Sequence, residues 1–333
     1  MFGDTHSTTT IFGVKVIVGA KVLHLRLPAV PRLMYSDPAE SDADLIFVTA
    51  DADAVAFHLH TAVLLAASDN AFNHLLAVPH PGPWRDGRPL LPVSDDAAVF
   101  TLVVCAVYAL PYAAYAPAFA TLDAAVDAMR TYGLRVPALA APGTPLFALL
   151  LAHAPQHPLA LYALAAHHAL DALAVAASAH LLAFPLAAVG DDDAARIGPV
   201  YLKRLFFMHL GRAEALRRLL LPPLRPHAPT GACGAPEQLP LVRAWALGAS
   251  ALAWDSRGGA CPAVDACPML TPLDLPPAAI RAALGPLGAH IDCAECVRGL
   301  ENRIDVVTRQ WAGTKVCVLL PRVDDADSVQ RTI

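Results

Sequence analysis

The spacing of hydrophobic residues changes along the chain, and this change constrains the fold most. Val55, Phe57 and Leu59 alternate with other residues, which is the period of a strand with one buried face. The apolar run within residues 44–49 comes shortly before them, so the two runs predict neighbouring antiparallel strands. From about residue 62 onward the spacing is mainly helical. Strands early in the chain and helices later predict an α+β fold.

The first forty residues carry a similar strand signal. Residues 22–27 alternate between apolar and polar side chains, and Gly19 with Ala20 offers a turn before them. Prolines at positions 28, 31 and 38 then mark a connection. The sequence therefore predicts an N-terminal extension over residues 1–40 that contains a hairpin.

The helical spacing predicts several helices after the second strand. The first begins near Ala62, and a second short helix after Ser68 carries Phe72. A helix pair is expected between about residues 96 and 132, ended by Gly133. Further helices are expected throughout about residues 145–221, interrupted at Gly198–Pro199, and the proline-rich stretch 222–240 marks a domain boundary.

The high apolar content raises the question of a membrane. Hydrophobic residues make up 56% of the chain and the mean hydropathy is +0.47, but alanine inflates both values. The stretch from Asp96 to Asp123 has no formal charge between its ends, which on length alone permits a membrane span. Pro111 and Pro117 interrupt it and its tyrosines cluster in the middle, so buried helices of a water-soluble protein are favoured. A membrane-associated helical protein without catalysis is the alternative.

Net charge and cysteine usage limit the partners and the cellular compartments that are expected for the protein. The net charge is −5 and no basic face is apparent, so we expect no nucleic acid partner. Seven cysteines are an odd number, no Asn-x-Ser/Thr acceptor occurs, and the N-terminus has an acidic residue where a signal peptide needs positive charge. These features favour a reducing compartment, the cytoplasm or the nucleus.

Sequence motifs for catalysis are lacking. There is no GxxxxGK[ST] loop and no GxGxxG pattern. Gly248-Ala-Ser250 lacks the second glycine of a nucleophile elbow, and no strand is predicted before it. We therefore expect that the chain is not an enzyme.

Several weak motifs occur in an order that resembles a known family. They are Asp44 at the start of a strand, Phe57-x-x-His60, Val63-Leu-x-Ala66-Ala-Ser68, and Phe72. Together they resemble the opening of a BTB/POZ domain. The stretch from Asp86 to Asp95 is similar to BTB proteins of basidiomycete fungi. Pro158–Leu186 and Tyr201–Leu205 resemble the helical, BACK-like region that follows those domains, and Cys233-Gly234 and Cys293-x-x-Cys296 also have counterparts there.

The resemblance implies a domain plan and a function. A BTB/POZ domain, a small mixed sheet capped by helices, would occupy residues 41–140, followed by a BACK-like helical region over 141–225 and a helical segment with the cysteine cluster over 226–333. It implies protein–protein association through a homodimer or another partner, such as a cullin-type ubiquitin ligase or a transcription-related complex. Tyr108–Tyr112 lacks the glutamate that cullin adaptors often carry, which weakens the adaptor version.

Asp44 and His60 are the predicted interaction residues. The resemblance places both near a groove at the dimer interface. From the residues alone, His60 lies where a strand meets a helix, so its ring is expected to bond the backbone or Asp44 in a structural role. Phe57, Leu64 and Phe72 are expected in the core.

The cysteines after residue 230 predict a metal site. Cys293-Ala-Glu-Cys296 has the tight spacing of a structural zinc knuckle. Cys233 is the preferred third ligand, because the family-like Cys-Gly pair precedes a helix that must fold back toward residue 293. The fourth ligand stays open among His227, Cys261 and Cys267, and His290 is also available. Free, partly buried thiols without any metal are the alternative.

Overall fold

The computed structural model describes residues 15–18, 21–24, 43–51, 55–77, 83–85, 87–112, 116–255, 274–289, 291–314 and 317. The chain folds as two compact units, residues 1–153 and 154–333. Strands occur in the first unit, and the described part of the second is helical. The predicted α+β class is confirmed.

The first unit is built on a mixed sheet. Within the described residues it has six strands in the order β2-β1-β4-β3-β6-β5. β3 and β4 pair antiparallel with Phe47 opposite Phe57, as predicted, while β6 runs parallel to β3. The predicted N-terminal hairpin is also present, and β1 pairs with β4 so that it extends the same sheet. The strands are β1 Lys15–Val18, β2 Lys21–His24, β3 Leu45–Val48, β4 Val55–Leu59, β5 Trp84–Arg85 and β6 Arg88–Pro92.

Helices of the first unit follow the strands as the spacing predicted, including the helix pair. Gly133 follows α3 with φ of +73°, and a Cβ there would lie 2.4 Å from the Asn70 side-chain oxygen, so only glycine fits. The helices are α1 Thr61–Ala67, α2 Ala97–Val107, α3 Phe119–Thr131, α4 Val136–Leu139 and α5 Pro145–Ala152.

The predicted short helix around Phe72 is wrong. Ala71–His74 form left-handed turns, with φ between 51° and 61°. Polar side chains cap these turns: Ser68 Oγ accepts from the Phe72 amide at 2.8 Å, and Asn70 Oδ1 accepts from the Asn73 amide at 2.8 Å. Short polar side chains compete with the helix for backbone groups in this way. The spacing of hydrophobic residues in the sequence is the same whether this segment forms a helix or left-handed turns. The sequence pattern therefore could not distinguish the two.

An aromatic cluster forms the core of the first unit. Phe57, Leu64 and Phe72 are fully buried, which confirms the predicted core positions. The Phe72 ring stacks on Tyr132 with centroids 4.4 Å apart, and Phe100 contacts Phe57 edge-on at 5.0 Å. The core therefore joins the sheet, the left-handed turns and the helix pair.

Six α-helices make up the described part of the second unit. The predicted interruption at Gly198–Pro199 is confirmed, because Gly198 has φ 74° and ψ 164° and kinks α8. Residues 222–229, part of the predicted boundary, connect α8 to α9 inside this unit without helix or strand. The helices are α6 Pro158–His167, α7 Asp171–Ser178, α8 Asp191–Leu220, α9 Ala235–Asp255, α10 Pro277–Leu284 and α11 Ala294–Ala312.

The end of α8 packs with α9, α10 and α11 around two tryptophans. Trp245 and Trp311 are fully buried, and their indole N–H groups donate to the Pro222 and Leu275 carbonyls at 3.2 and 2.7 Å. Cys233 and Cys296 belong to this same core. Within the described ranges, no helix is long and apolar enough to cross a membrane.

Candidate metal centre

Four potential metal ligands come from three short segments of the second unit. Cys293 is the N-cap of α11 and Cys296 lies in its first turn. Cys233 lies just before α9, and His227 lies in the segment that follows α8. The starts of α9 and α11 and the segment after α8 therefore meet at the edge of the core around Trp245 and Trp311.

A tight turn holds Cys233 in place. The Thr230 amide donates to the Cys233 carbonyl at 2.9 Å, and the Cys233 amide donates to Thr230 Oγ1 at 3.1 Å. The next amide, of Gly234, donates to Glu237 Oε2 at 2.8 Å, which caps the start of α9. The local hydrogen bonds thus fix the backbone on both sides of the cysteine.

The spacing of the ligand atoms suits a tetrahedral ion. One atom from each of His227, Cys233, Cys293 and Cys296 lies within 4.8 Å of the others. The Cys233 and Cys296 sulfurs are 3.7 Å apart, and the Cys293 sulfur is 3.3 Å from His227 Nε2. Tetrahedral zinc bonds imply separations of about 3.8 Å between two sulfurs and about 3.6 Å between sulfur and nitrogen. The arrangement is therefore compatible with one zinc ion.

The tautomer of His227 suits a metal ligand. Its Nδ1 lies 2.7 Å from the Ala228 carbonyl, which can only accept, so Nδ1 carries the proton. Glu295 Oε2 lies 3.2 Å from the same nitrogen. A neutral ring then has its lone pair on Nε2, the atom that faces Cys293. Ring N–H groups of metal-bound histidines are commonly held by carbonyls or carboxylates in this way.

The thiols at the start of α11 differ in acidity. The Cys296 amide donates to the Cys293 sulfur and helps lower the pKa of Cys293 to about 7. Burial, followed by the neighbouring sulfurs, raises the pKa of Cys296 to about 12. The bond to the Ala228 carbonyl is the main cause that raises the pKa of His227. Without a cation, Cys296 therefore keeps its proton, while a bound cation would favour its thiolate.

The surroundings of the cluster are mainly closed. Cys233 and Cys296 are 3% and 6% exposed, whereas Cys293 is half-buried. The buried Gln238 side chain lies 3.3 Å from His227 Nε2 and donates to the His227 carbonyl at 3.2 Å. A small cavity of about 110 Å³ lies beside His227 and Cys296. Four protein ligands leave no open position for water or substrate, so the arrangement suits a structural ion.

The structure brings together the three cysteines that the sequence predicted as metal ligands. It also places His227 as the fourth group, a choice that the sequence had left open. Cys261, Cys267 and His290 lie outside the described residues. Sequence reasoning missed Gln238 and Glu295: Glu295 lies inside the Cys-x-x-Cys motif and was a visible candidate, whereas nothing in the sequence marked Gln238.

His60 is the N-cap of α1, and the side chain of Asp44, which precedes β3, reaches the same helix start. Asp44 Oδ1 accepts from the Thr61 amide at 2.7 Å, which satisfies one of the free amides of this helix. The His60 ring was expected to bond the backbone or Asp44, but its Nδ1 instead lies 3.1 Å from the Tyr108 hydroxyl. The same hydroxyl accepts from the His60 amide at 2.9 Å, and burial raises the pKa of Tyr108 to about 12. Both residues thus fix the junction between β4 and α1.

Three comparisons with known proteins complete the description of the chain. No model of a protein family, no curated protein and no solved structure matched it.

Proposed function

We propose that this chain is a BTB/POZ-type protein-interaction module that forms a homodimer and is not an enzyme. The order of elements in the first unit supports the proposal. The β3–β4 hairpin, α1, the parallel strand β6 and the pair α2 and α3 follow one another as the sequence resemblance implies. The proposal concerns the first unit.

The outer surface of α1 is the observation that carries the proposal. Of its seven residues, six are apolar and only Leu64 is buried. Leu65 is 44% exposed, and its neighbours Ala62 and Ala66 are also exposed. An exposed apolar surface on a helix that is also packed on its inner side is a surface that a partner can cover. A second copy of the chain is the partner that we propose.

Twofold symmetry makes this surface sensitive to mutation. In a symmetric dimer the same patch is used on both subunits, so one substitution changes the interface twice. Burying one leucine side chain contributes about 1.5–3 kcal/mol. Leu65→Glu is therefore expected to weaken dimerisation by tenfold or more.

Light scattering coupled to size exclusion at micromolar concentration tests the proposal. The unmodified chain is expected to have the mass of a dimer, and the Leu65→Glu variant that of a monomer. Leu247→Glu is the matched control, because Leu247 is a 74% exposed leucine of the second unit, outside the proposed interface. A monomeric unmodified chain, or equal loss of dimer in both variants, would remove the proposal.

Within this proposal a cullin adaptor is the weaker version. The stretch Tyr108–Tyr112, after α2, has no glutamate of the kind that the resemblance associates with cullin contact. Binding of a purified cullin to the dimer in the same experiment would distinguish an adaptor from a partner of a transcription-related complex, in the cytoplasm or the nucleus. A complex with the cullin would support the adaptor version.

We infer separately that the second unit holds one structural zinc ion through His227, Cys233, Cys293 and Cys296. The mutual distances of the four ligand atoms, all within 4.8 Å, carry this inference. Three thiolates and an imidazole are soft and borderline ligands that suit zinc. The ion would join the starts of α9 and α11 to the segment after α8. Its role would be to stabilise the fold, because the protein supplies all four ligands.

Metal analysis of the chain purified without chelator tests the zinc site. One zinc ion per chain is expected for the unmodified protein and much less for Cys296→Ser. Cys317→Ser is the matched control, since Cys317 is a partly exposed cysteine that does not belong to the cluster. Equal zinc content in both variants would show that the ion, if bound, lies elsewhere.

A further inference from the structure

The three clustered cysteines differ in their access to solvent. Cys233 and Cys296 are buried, whereas Cys293 is only half-buried at the N-terminus of α11. A soluble oxidant can therefore reach Cys293 more readily than the other two sulfurs. Both neighbouring sulfurs lie within 4.8 Å of it. The cluster thus has an accessible thiol backed by buried ones.

We propose that Cys293 is a site of reversible oxidation by hydroperoxides, and that it resolves into a disulfide with Cys296. The disulfide removes two of the four ligands and breaks the metal centre. The release of metal rests on the zinc site proposed above, while the oxidation itself requires only the thiols. The site therefore links the oxidation state of the surroundings to the packing of the second unit.

The start of α11 provides the geometry for this reaction. Cys293 is the N-cap and Cys296 lies one turn further on, a spacing that places the two side chains on neighbouring positions. A disulfide needs its sulfurs at about 2.05 Å, so the two sulfurs, which lie within 4.8 Å of each other, must approach for the bond to form.

The reaction proceeds in two balanced steps. The Cys293 thiolate attacks one oxygen of the hydroperoxide, so that an S–O bond forms, the O–O bond breaks and water or an alcohol leaves. The Cys296 thiol then attacks the sulfenic sulfur, so that an S–S bond forms, the S–O bond breaks and the sulfenic oxygen leaves as water with the proton of the Cys296 thiol. The two thiols lose two electrons and two protons in total, and the hydroperoxide accepts both. A dithiol reductant reverses the change.

Mass spectrometry after treatment with hydrogen peroxide tests the inference. Peptides that contain Cys293 are expected to carry an internal disulfide with Cys296, and reduction is expected to remove it. A chromogenic chelator in a parallel sample is expected to report zinc release over the same time course. A disulfide that excludes Cys293, or a Cys293 that stays reduced while other cysteines oxidise, would overturn the proposal.

The Cys293→Ser variant distinguishes the contribution of the accessible thiol to oxidation from that of the two buried thiols. Serine is a favoured N-cap residue, so the start of α11 is expected to fold in this variant. Oxidation of Cys296 by peroxide should then be slower by about tenfold or more, because the remaining two sulfurs are shielded from solvent. Cys317→Ser serves as the control and is expected to oxidise at Cys293 like the unmodified chain. Equal rates at Cys296 in all three proteins would overturn the proposal.

The two proposals fail in different ways. Zinc content of the reduced, untreated chain reports the metal site alone. A chain without zinc that still forms the Cys293–Cys296 disulfide would contradict the metal site but support the oxidation site. A chain that binds one zinc ion but whose Cys293 resists peroxide would support the metal site and contradict the oxidation site.

Discussion

Phe72 combines an unfavourable backbone with a favourable side chain. Its φ of 55° and those of its neighbours lie in the left-handed region, which costs about 1–2 kcal/mol per residue for side chains other than glycine. The ring is fully buried and lies within 5.4 Å, centroid to centroid, of Phe47. Capping by Ser68 and Asn70, described above, also offsets the strain. The local conformation is therefore held by packing of the ring and by local side-chain caps rather than by backbone propensity.

Replacement of Phe72 by alanine is expected to destabilise the first unit. Removing a fully buried phenylalanine costs about 3–5 kcal/mol, through lost burial and the cavity left behind. Phe207→Ala is the control, because Phe207 is 62% exposed and its loss should change stability by only about 0.5 kcal/mol. Thermal or denaturant unfolding followed by circular dichroism measures both. Equal unfolding of the two variants would contradict the packing around Phe72.

The residues that the sequence could identify are those that act through a local pattern. Phe57 was visible because strand alternation spans only a few positions, and Cys293 with Cys296 because a knuckle lies within one turn. His227 was one of several equal candidates, since its role depends on how the chain returns from α8 to α11. The His60 contact with Tyr108 joins residues 48 positions apart, which no local pattern encodes.

At the scale of elements, α8 shows how one residue divides a helix. Gly198 adopts φ 74° and ψ 164°, a region that is essentially restricted to glycine. Pro199 follows it and cannot donate the backbone hydrogen bond of a continuous helix. The sequence showed this break because glycine and proline act locally. It did not show the turns at Ala71–His74, because those residues have no such signature and are held by Ser68 and Asn70.

Two glycines of α8 should respond to alanine in opposite directions. Gly198→Ala is expected to destabilise the chain by about 1–3 kcal/mol, since alanine is strained at this φ and ψ. Gly211→Ala is expected to stabilise it by about 0.5–1 kcal/mol, because glycine is costly in a regular helix. A Cβ meets nothing within 4 Å at either position, so steric clashes do not enter the comparison.

Circular dichroism of the two variants during unfolding measures this difference. Opposite shifts of the midpoint relative to the unmodified chain are the expected result. If both substitutions destabilise the chain to the same extent, the backbone conformation at Gly198 does not explain the effect of Gly198→Ala.

At the scale of the whole molecule, the chain folds as two compact units. The first has an aromatic core beneath a sheet, while the helices at the end of the second surround Trp245 and Trp311. The helical core has the metal ligands at its edge, with Cys233 and Cys296 as members of the core itself. A bound ion would therefore stabilise the second unit directly and leave the core of the first unchanged.

Removal of zinc should therefore destabilise the second unit, which supplies all four ligands. Binding of an ion to the folded state adds about 2.7 kcal/mol when its free concentration is a hundredfold above the dissociation constant, and chelation removes this term. Trp245 and Trp311 are buried in this core, so the unfolding midpoint followed by tryptophan fluorescence is expected to fall by several degrees, about 2–4 °C per kcal/mol. Added zinc should restore the midpoint, whereas magnesium, which prefers oxygen ligands, should not. If fluorescence unfolding is unchanged after metal analysis shows complete removal, the ion has no structural role.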